Sequence, residues 1–400
     1  MIRTSLIARP VFTRALLVCG FLSTFLIGNL RWEQLGSATE LGFPMGVEPG
    51  KLIAIEALPK VIEWDQPFDS VQLLITGVLE SGQTVDVTRS ATLVQELEFL
   101  EIDDHRRIRP KKNGQGELEF EISGNAVRIP VRVSGLNAEY RVSFVQDVMP
   151  ALSKMGCNAG TCHGSKDGQN GFKLSLRGYD LLFDHQAITD ELAARRVNRV
   201  VPEQSLILLK LSGSIPHVGG TSLSPGDGYY QLLRDWIRQG VRLDSTASRV
   251  QKIELLPRDP VVPLPGMTQQ VVVLAPYADG TQRDVTSEAI FDSGNIEVAQ
   301  TDSRGLVHLL RRGEAAVLAR YQGAYASSTI TVLGDRHGFT WTETEPYNYI
   351  DQHVYDKLQR MKIAPSPLCS DVEFVRRVYL DLTGLPPTSD QVRHFLSDGR

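Results

Sequence analysis

The sequence predicts a multidomain protein: a β-sandwich, an all-α segment, a second β-sandwich and a helical C-terminal segment, in that order. Three observations carry this. Short β-branched runs separated by turn residues fill the stretch from about Gly50 to Phe144, with no helical period. The same pattern returns after about residue 252. Between the two lies a segment with two cysteines, a run of glycines and one strongly amphipathic helix.

The N-terminus carries Arg3, Arg9 and Arg14, then an uncharged run from Ala15 to Leu30. This is the charged-then-apolar layout of an export signal. As a helix the run would span about 24 Å at 1.5 Å per residue, short of a hydrocarbon core of about 30 Å. A cleaved signal is favoured over a permanent anchor. The small residues Gly36-Ser37-Ala38 sit late for cleavage, so an uncleaved anchor over 1–38 remains open. Cys19 reads as a buried hydrophobe of the apolar run. Hydrophobic content of 42% and 22% charged residues are those of globular domains, and a formal charge of −5 lacks the basic stripe that nucleic-acid binding requires.

In the first sandwich, expected over 45–145, Val71-Gln-Leu-Leu-Ile-Thr is rich in β-formers and Glu80-Ser-Gly82-Gln is a hairpin turn. Val127-Arg-Ile-Pro-Val-Arg-Val133 alternates apolar with polar. The basic cluster Arg106, Arg107, Arg109, Lys111 and Lys112 follows Glu101, Asp103 and Asp104 and reads as a solvated loop. In the second sandwich, 252–334, Gly280-Thr-Gln-Arg-Asp284-Val-Thr286 repeats Gly82-Gln-Thr-Val-Asp86-Val-Thr88. A repeat at this separation is a duplicated module rather than a solenoid unit. Asp86 and Asp284 read as turn caps in preference to calcium ligands, since no acidic cluster surrounds either.

The central segment, 146–245, opens on a short helix from Val148 to Met155 with Pro150 in its first turn. Cys157-Asn-Ala-Gly-Thr-Cys162-His163 follows. Two thiols and an adjacent imidazole are what covalent attachment of a c-type haem uses, although the usual spacing has two intervening residues and this one has four. A local disulfide between Cys157 and Cys162, and a zinc site completed by a further histidine, use the same residues. Ile188 to Asn198 reads as a helix, capped by Thr189 or Asp190. Tyr229, Leu232, Leu233, Trp236 and Ile237 share one face of a closing helix that Gly240 ends.

Gly-x-x-x-Asp-Val-Thr, with Gly305 and Gly313-Glu314-Ala315 downstream, resembles the bacterial immunoglobulin-like (group 2) domains of surface proteins. The second copy is the better match. Gly156-Cys-Asn-Ala-Gly-Thr-Cys-His-Gly164, Gly171-Phe-Lys-Leu-Ser-Leu-Arg-Gly-Tyr-Asp180, Pro216-His-Val-Gly-Gly220 and Trp236-Ile-Arg-Gln-Gly240 resemble planctomycete cytochrome c-type surface proteins. That resemblance implies an all-α, cytochrome c-like domain between immunoglobulin-like sandwiches. It also implies one covalent haem c on Cys157 and Cys162, with His163 as proximal iron ligand. The methionines leave none between His163 and Met267, so the far ligand is expected to be His217, in the stretch where the family's ligand loop falls; His185 is the other imidazole in reach.

In the C-terminal segment, 345–400, Ile350 to Gln359, Val372 to Asp381 and Gln391 to Leu396 read as helices, the third capped by Ser389 or Asp390. Arg376-Arg-Val-Tyr-Leu-Asp-Leu-Thr-Gly-Leu-Pro-Pro-Thr388 resembles the opening of a planctomycete domain of unknown function, so the chain is expected to be a fragment of a longer one. The resulting expectation is an exported haem protein passing single electrons at the cell envelope to an unidentified redox partner, an electron carrier rather than an enzyme, in the periplasm or at the cell surface. The alternative is a non-haem surface scaffold or binding protein whose central segment is stapled by a Cys157–Cys162 disulfide.

Overall fold

The structure, a computed structural model, describes residues 50–220, 223–336 and 338–398. The expected leader over 1–38 lies outside the described residues. The first repeat is built from β1 (Leu52–Leu58), β2 (Ile62–Trp64), β3 (Val71–Gln72), β4 (Leu74–Leu79), β5 (Thr84–Asp86), β6 (Thr92–Leu93), β7 (Leu100–Ile102), β8 (Arg107–Pro110), β9 (Gly114–Ile122) and β10 (Asn125–Val133). The second is built from β11 (Glu254–Leu256), β12 (Val261–Val262), β13 (Thr268–Gln270), β14 (Val272–Pro276), β15 (Gln282–Asp284), β16 (Ile290–Ser293), β17 (Ala299–Thr301), β18 (Leu306–Leu309), β19 (Gly313–Tyr321) and β20 (Ala324–Val332).

The strand orders β1-β4-β5, β2-β10-β9-β6 and β3-β8-β7 recur as β11-β14-β15, β12-β20-β19-β16 and β13-β18-β17. Even the parallel pairing of β2 with β10 returns as β12 with β20. Period-two patterning explains the sheets. Along β9, Leu118, Phe120 and Ile122 are buried while Glu117, Glu119 and Glu121 point outward. The β4–β5 and β14–β15 hairpins turn on Gly82 and Gly280, both at positive φ, where a side chain would be strained.

The two repeats share one continuous hydrophobic cluster, running from Leu73, Ile108 and Phe120 to Val273, Val307 and Ile330. They are also clasped symmetrically. The backbone N–H of Gln72 donates to Asp284 Oδ2 at 2.8 Å, and that of Gln270 donates to Asp86 Oδ2 at 2.5 Å. Each aspartate's other oxygen caps its own turn, accepting from Thr88 N and Thr286 N at 2.9 Å. So Asp86 and Asp284 cap turns, and each also reaches into the other repeat.

The central segment departs from expectation. No distinct all-α, cytochrome c-like domain is present; the described chain is mostly small β-sheets with a few short helices. Its regular helices are Met149–Lys154, Leu181–Thr189, Leu206–Leu211 and Gly228–Arg238, and only the last is longer than nine residues. The helix expected over 188–198 stops at Thr189. Leu192, Ala193 and Ala194 then adopt φ of 54°, 56° and 58°, a left-handed turn costing roughly 1–2 kcal/mol per residue for side chains of this hand. Each β repeat, likewise, is three small sheets rather than the two of the expected immunoglobulin-like sandwich.

What holds the segment is partly its own cluster, with Trp236 stacked on Phe144 at 5.3 Å and its indole N–H on Arg242 O. The rest is polar anchoring to the β repeats, which is why it is no separate domain. Arg283 of β15 pairs with Asp69 at 3.0 Å and with Asp147 at 3.4 Å. Lys154 Nζ donates to Ala289 O and Ser303 O, Tyr229 OH to Glu288, and Gln322 Nε2 to Val145 O.

Three helices close the described chain, Tyr349–Arg360, Asp371–Thr383 and Ser389–Ser397. Asn348 caps the first, and Ser370 and Thr388 form capping boxes on the others, so the third cap is one residue earlier than expected. The first helix rests on the second repeat through Lys357–Glu314 and Arg360 Nη2 to Thr331 Oγ1 at 2.7 Å.

Candidate functional site

The loop carrying Cys157, Cys162 and His163 is wound into consecutive turns. Cys157 N donates to Leu152 O, Cys162 N to Ala159 O, and His163 N to Cys157 O, all between 2.9 and 3.1 Å. Asn158, 3% exposed, anchors it through Nδ2 to Ser153 Oγ. Gly164 is needed because the loop folds back on itself: a Cβ there would lie 2.0 Å from Asn158 O. Both cysteines are free thiols, half-buried, so the structure contains no disulfide between them. Burial, reinforced by the neighbouring Cys162, pushes the Cys157 thiol up to about 12.

His163 and His217, 54 positions apart, are brought face to face. Their ring planes are 7° from parallel and their centres 6.4 Å apart. Each holds its Nδ1 on a backbone carbonyl: His163 on Phe172 O at 2.9 Å, His217 on Gly220 O at 3.2 Å. A carbonyl only accepts, so Nδ1 is the donor in both contacts, and neither Nε2 has a partner among the described residues. Burial holds His163 below its ordinary range, against the opposing bond to Phe172.

His185 is elsewhere. It lies in helix Leu181–Thr189, edge-on to Phe144 and Trp236, with Nε2 on Val241 O at 2.7 Å. Its neighbour Asp184 is buried on the Ser175 N–H and hydroxyl. Its place is a packed helix, marked in the sequence by the apolar residues Leu181, Ala187 and Ile188 around it. On the closing helix Leu232 and Trp236 are buried in the cluster, and Tyr229 packs against it with its hydroxyl on Ser287 and Glu288.

The residue types gathered here, two thiols and two imidazoles, are ones that could hold a haem iron. Among the described residues no group of three or more His, Cys, Asp or Glu side chains converges to hold a metal ion, so a four-ligand zinc site is not assembled. The sequence reading missed Arg196, which is 5% exposed and stacked on Phe172 at 4.3 Å. An arginine in a helical pattern gives no such signal.

A family model described as PSCyt2, protein of unknown function (DUF1549), matches residues 349–400. No curated protein matches the chain. Among solved structures the chain is similar to the surface-layer protein SbsC, domains 1–6, at 8% identity and a TM-score of 0.20, over 67% of this chain and 24% of that one. A second structure of that protein gives 8% identity and a TM-score of 0.20, over 66% and 23%. The chain spans about a quarter of those structures' length, and at this TM-score they bear on neither its fold nor its function. No helix among the described residues is long and apolar enough to cross a membrane.

Proposed function

We propose that the chain is an exported scaffold of the cell envelope, in which two clasped β repeats form a rigid mount for the central segment. The observation that carries this is the reciprocal exchange of hydrogen bonds between Gln72 and Asp284 and between Gln270 and Asp86, over a shared core. A pair tied at equivalent points and sharing one core resists hinging, which suits a spacer. The charged-then-apolar leader supports export. The test is protease treatment of intact cells expressing the tagged full chain, with fractionation. Digestion of an envelope-associated chain is expected; a chain found in the cytosol and protected from protease would end the reading.

A second reading is favoured by one observation, the facing imidazoles of His163 and His217 beside two unbonded thiols. In it the mount would carry one haem c, held by Cys157 and Cys162 through thioether bonds and by His163 and His217 at the iron. Bound there, the group would supply single-electron redox chemistry. This chain would supply the two Nε2 atoms and the burial around His163. Protein made with haem-attachment machinery should show a c-type band in alkaline pyridine and one haem's added mass. An unmodified mass without a band would reject this second reading and leave the scaffold standing.

A further inference from the structure

Arg196 joins three backbone segments around the site. Its Nη1 donates to Ala187 O at 2.7 Å and its Nη2 to Gly171 O at 2.8 Å. Glu191 pairs with it at 3.4 Å across the left-handed turn. The guanidinium plane covers the Phe172 ring at 4.3 Å, and Phe172 in turn meets His163, ring centres at 4.5 Å and the carbonyl on Nδ1 at 2.9 Å, while its backbone also bridges Gln169. The strained turn thus delivers a planar fork to the Gly171 carbonyl and the Phe172 ring, one peptide before the carbonyl that holds His163 Nδ1.

We infer that Arg196 is a positioning residue for His163, locking Gly171-Phe172 so that the Phe172 carbonyl keeps the proton on Nδ1 and Nε2 free. A fork is needed because one group must bond two carbonyls in different segments and stack on a ring. A lysine ammonium matches neither the plane nor the fixed spread of donors. The inference rests on the haem reading only for what Nε2 would serve; the tautomer itself belongs to the haem-free chain.

The test is long-range proton–nitrogen NMR of the haem-free full chain, well above the imidazole titration range, for wild type, Arg196→Lys and Arg196→Gln. His185 is the internal control, because its Nε2 sits on Val241 O in the same cluster and reports the opposite tautomer. Wild-type His163 should show the proton on Nδ1. In both variants it should shift to a mixture dominated by Nε2–H, with His185 unchanged. His163 keeping Nδ1–H in both variants would overturn the inference. So would a change at His163 and His185 together in both, which would make Arg196 a general packing residue. Failure of wild type to take up haem would leave this result intact.

Discussion

Asp284 accepts the backbone N–H of Gln72 at 2.8 Å across 212 positions of chain, while its other oxygen holds Thr286 N at 2.9 Å. One carboxylate therefore ends a local turn and joins the two repeats. Asp284→Ala strands both buried N–H groups, at about 1–3 kcal/mol each. Asp86→Ala should act in the same sense at the equivalent point. Because opening the interface at one clasp weakens the other, the double variant should lose less than the sum, by about 0.5–3 kcal/mol. Urea unfolding of the four proteins measures this, and strict additivity would mean that the two clasps are independent.

The same residue gives a pH dependence. Burial holds the Asp284 carboxyl up to about 7, against the opposing bonds from Thr286 and Gln72, with Glu288 adding to the rise. Its unfolded value is near 3.9. Between those values the folded chain binds a proton that the unfolded chain lacks, so this group's contribution to stability falls as pH rises from about 4 to 7. Above 7 it is flat. The urea midpoint of wild type minus that of Asp284→Asn should fall as pH rises across that window and level beyond it. Parallel profiles from pH about 4 to 8 would refute it.

How legible this was in the sequence depends on range. Gly-x-x-x-Asp-Val-Thr revealed the repeat because the turn, its glycine and its aspartate cap are local; the second oxygen of each aspartate, which joins the repeats, has no local signature. The central segment misled for a related reason. Glu191-Leu-Ala-Ala is a run of good helix formers, yet it turns left-handed. Arg196 meets Ala187 O and Gly171 O there, and tertiary bonds override propensity. His217 was marked by its position relative to His163, while its ring orientation depends on Gly220 O, a contact that composition does not show.

The left-handed turn carries its own prediction. Ala193 sits at φ 56° between two other left-handed residues, and glycine pays no Cβ penalty there. Ala193→Gly should therefore stabilise the chain by up to about 1 kcal/mol, where the same change in a right-handed helix would destabilise by a similar amount. Chemical denaturation decides between the two signs, and a loss of stability would mean that the turn is right-handed in solution.

The last prediction concerns the thiols of protein made without haem. Burial holds Cys157 at about 12, with Cys162 adding to the shift, so near neutral pH almost none of it is thiolate. The thiolate is the nucleophile. Iodoacetamide should therefore modify Cys157 far more slowly than an unfolded-chain cysteine, whose value near 8.5 makes the difference in thiolate on the order of a thousandfold. Peptide mapping after timed alkylation, native and in urea, reads the two rates at Cys157 directly. Equal rates in both conditions would place the sulfur in water and remove the burial that the loop from Leu152 to Gly164 imposes.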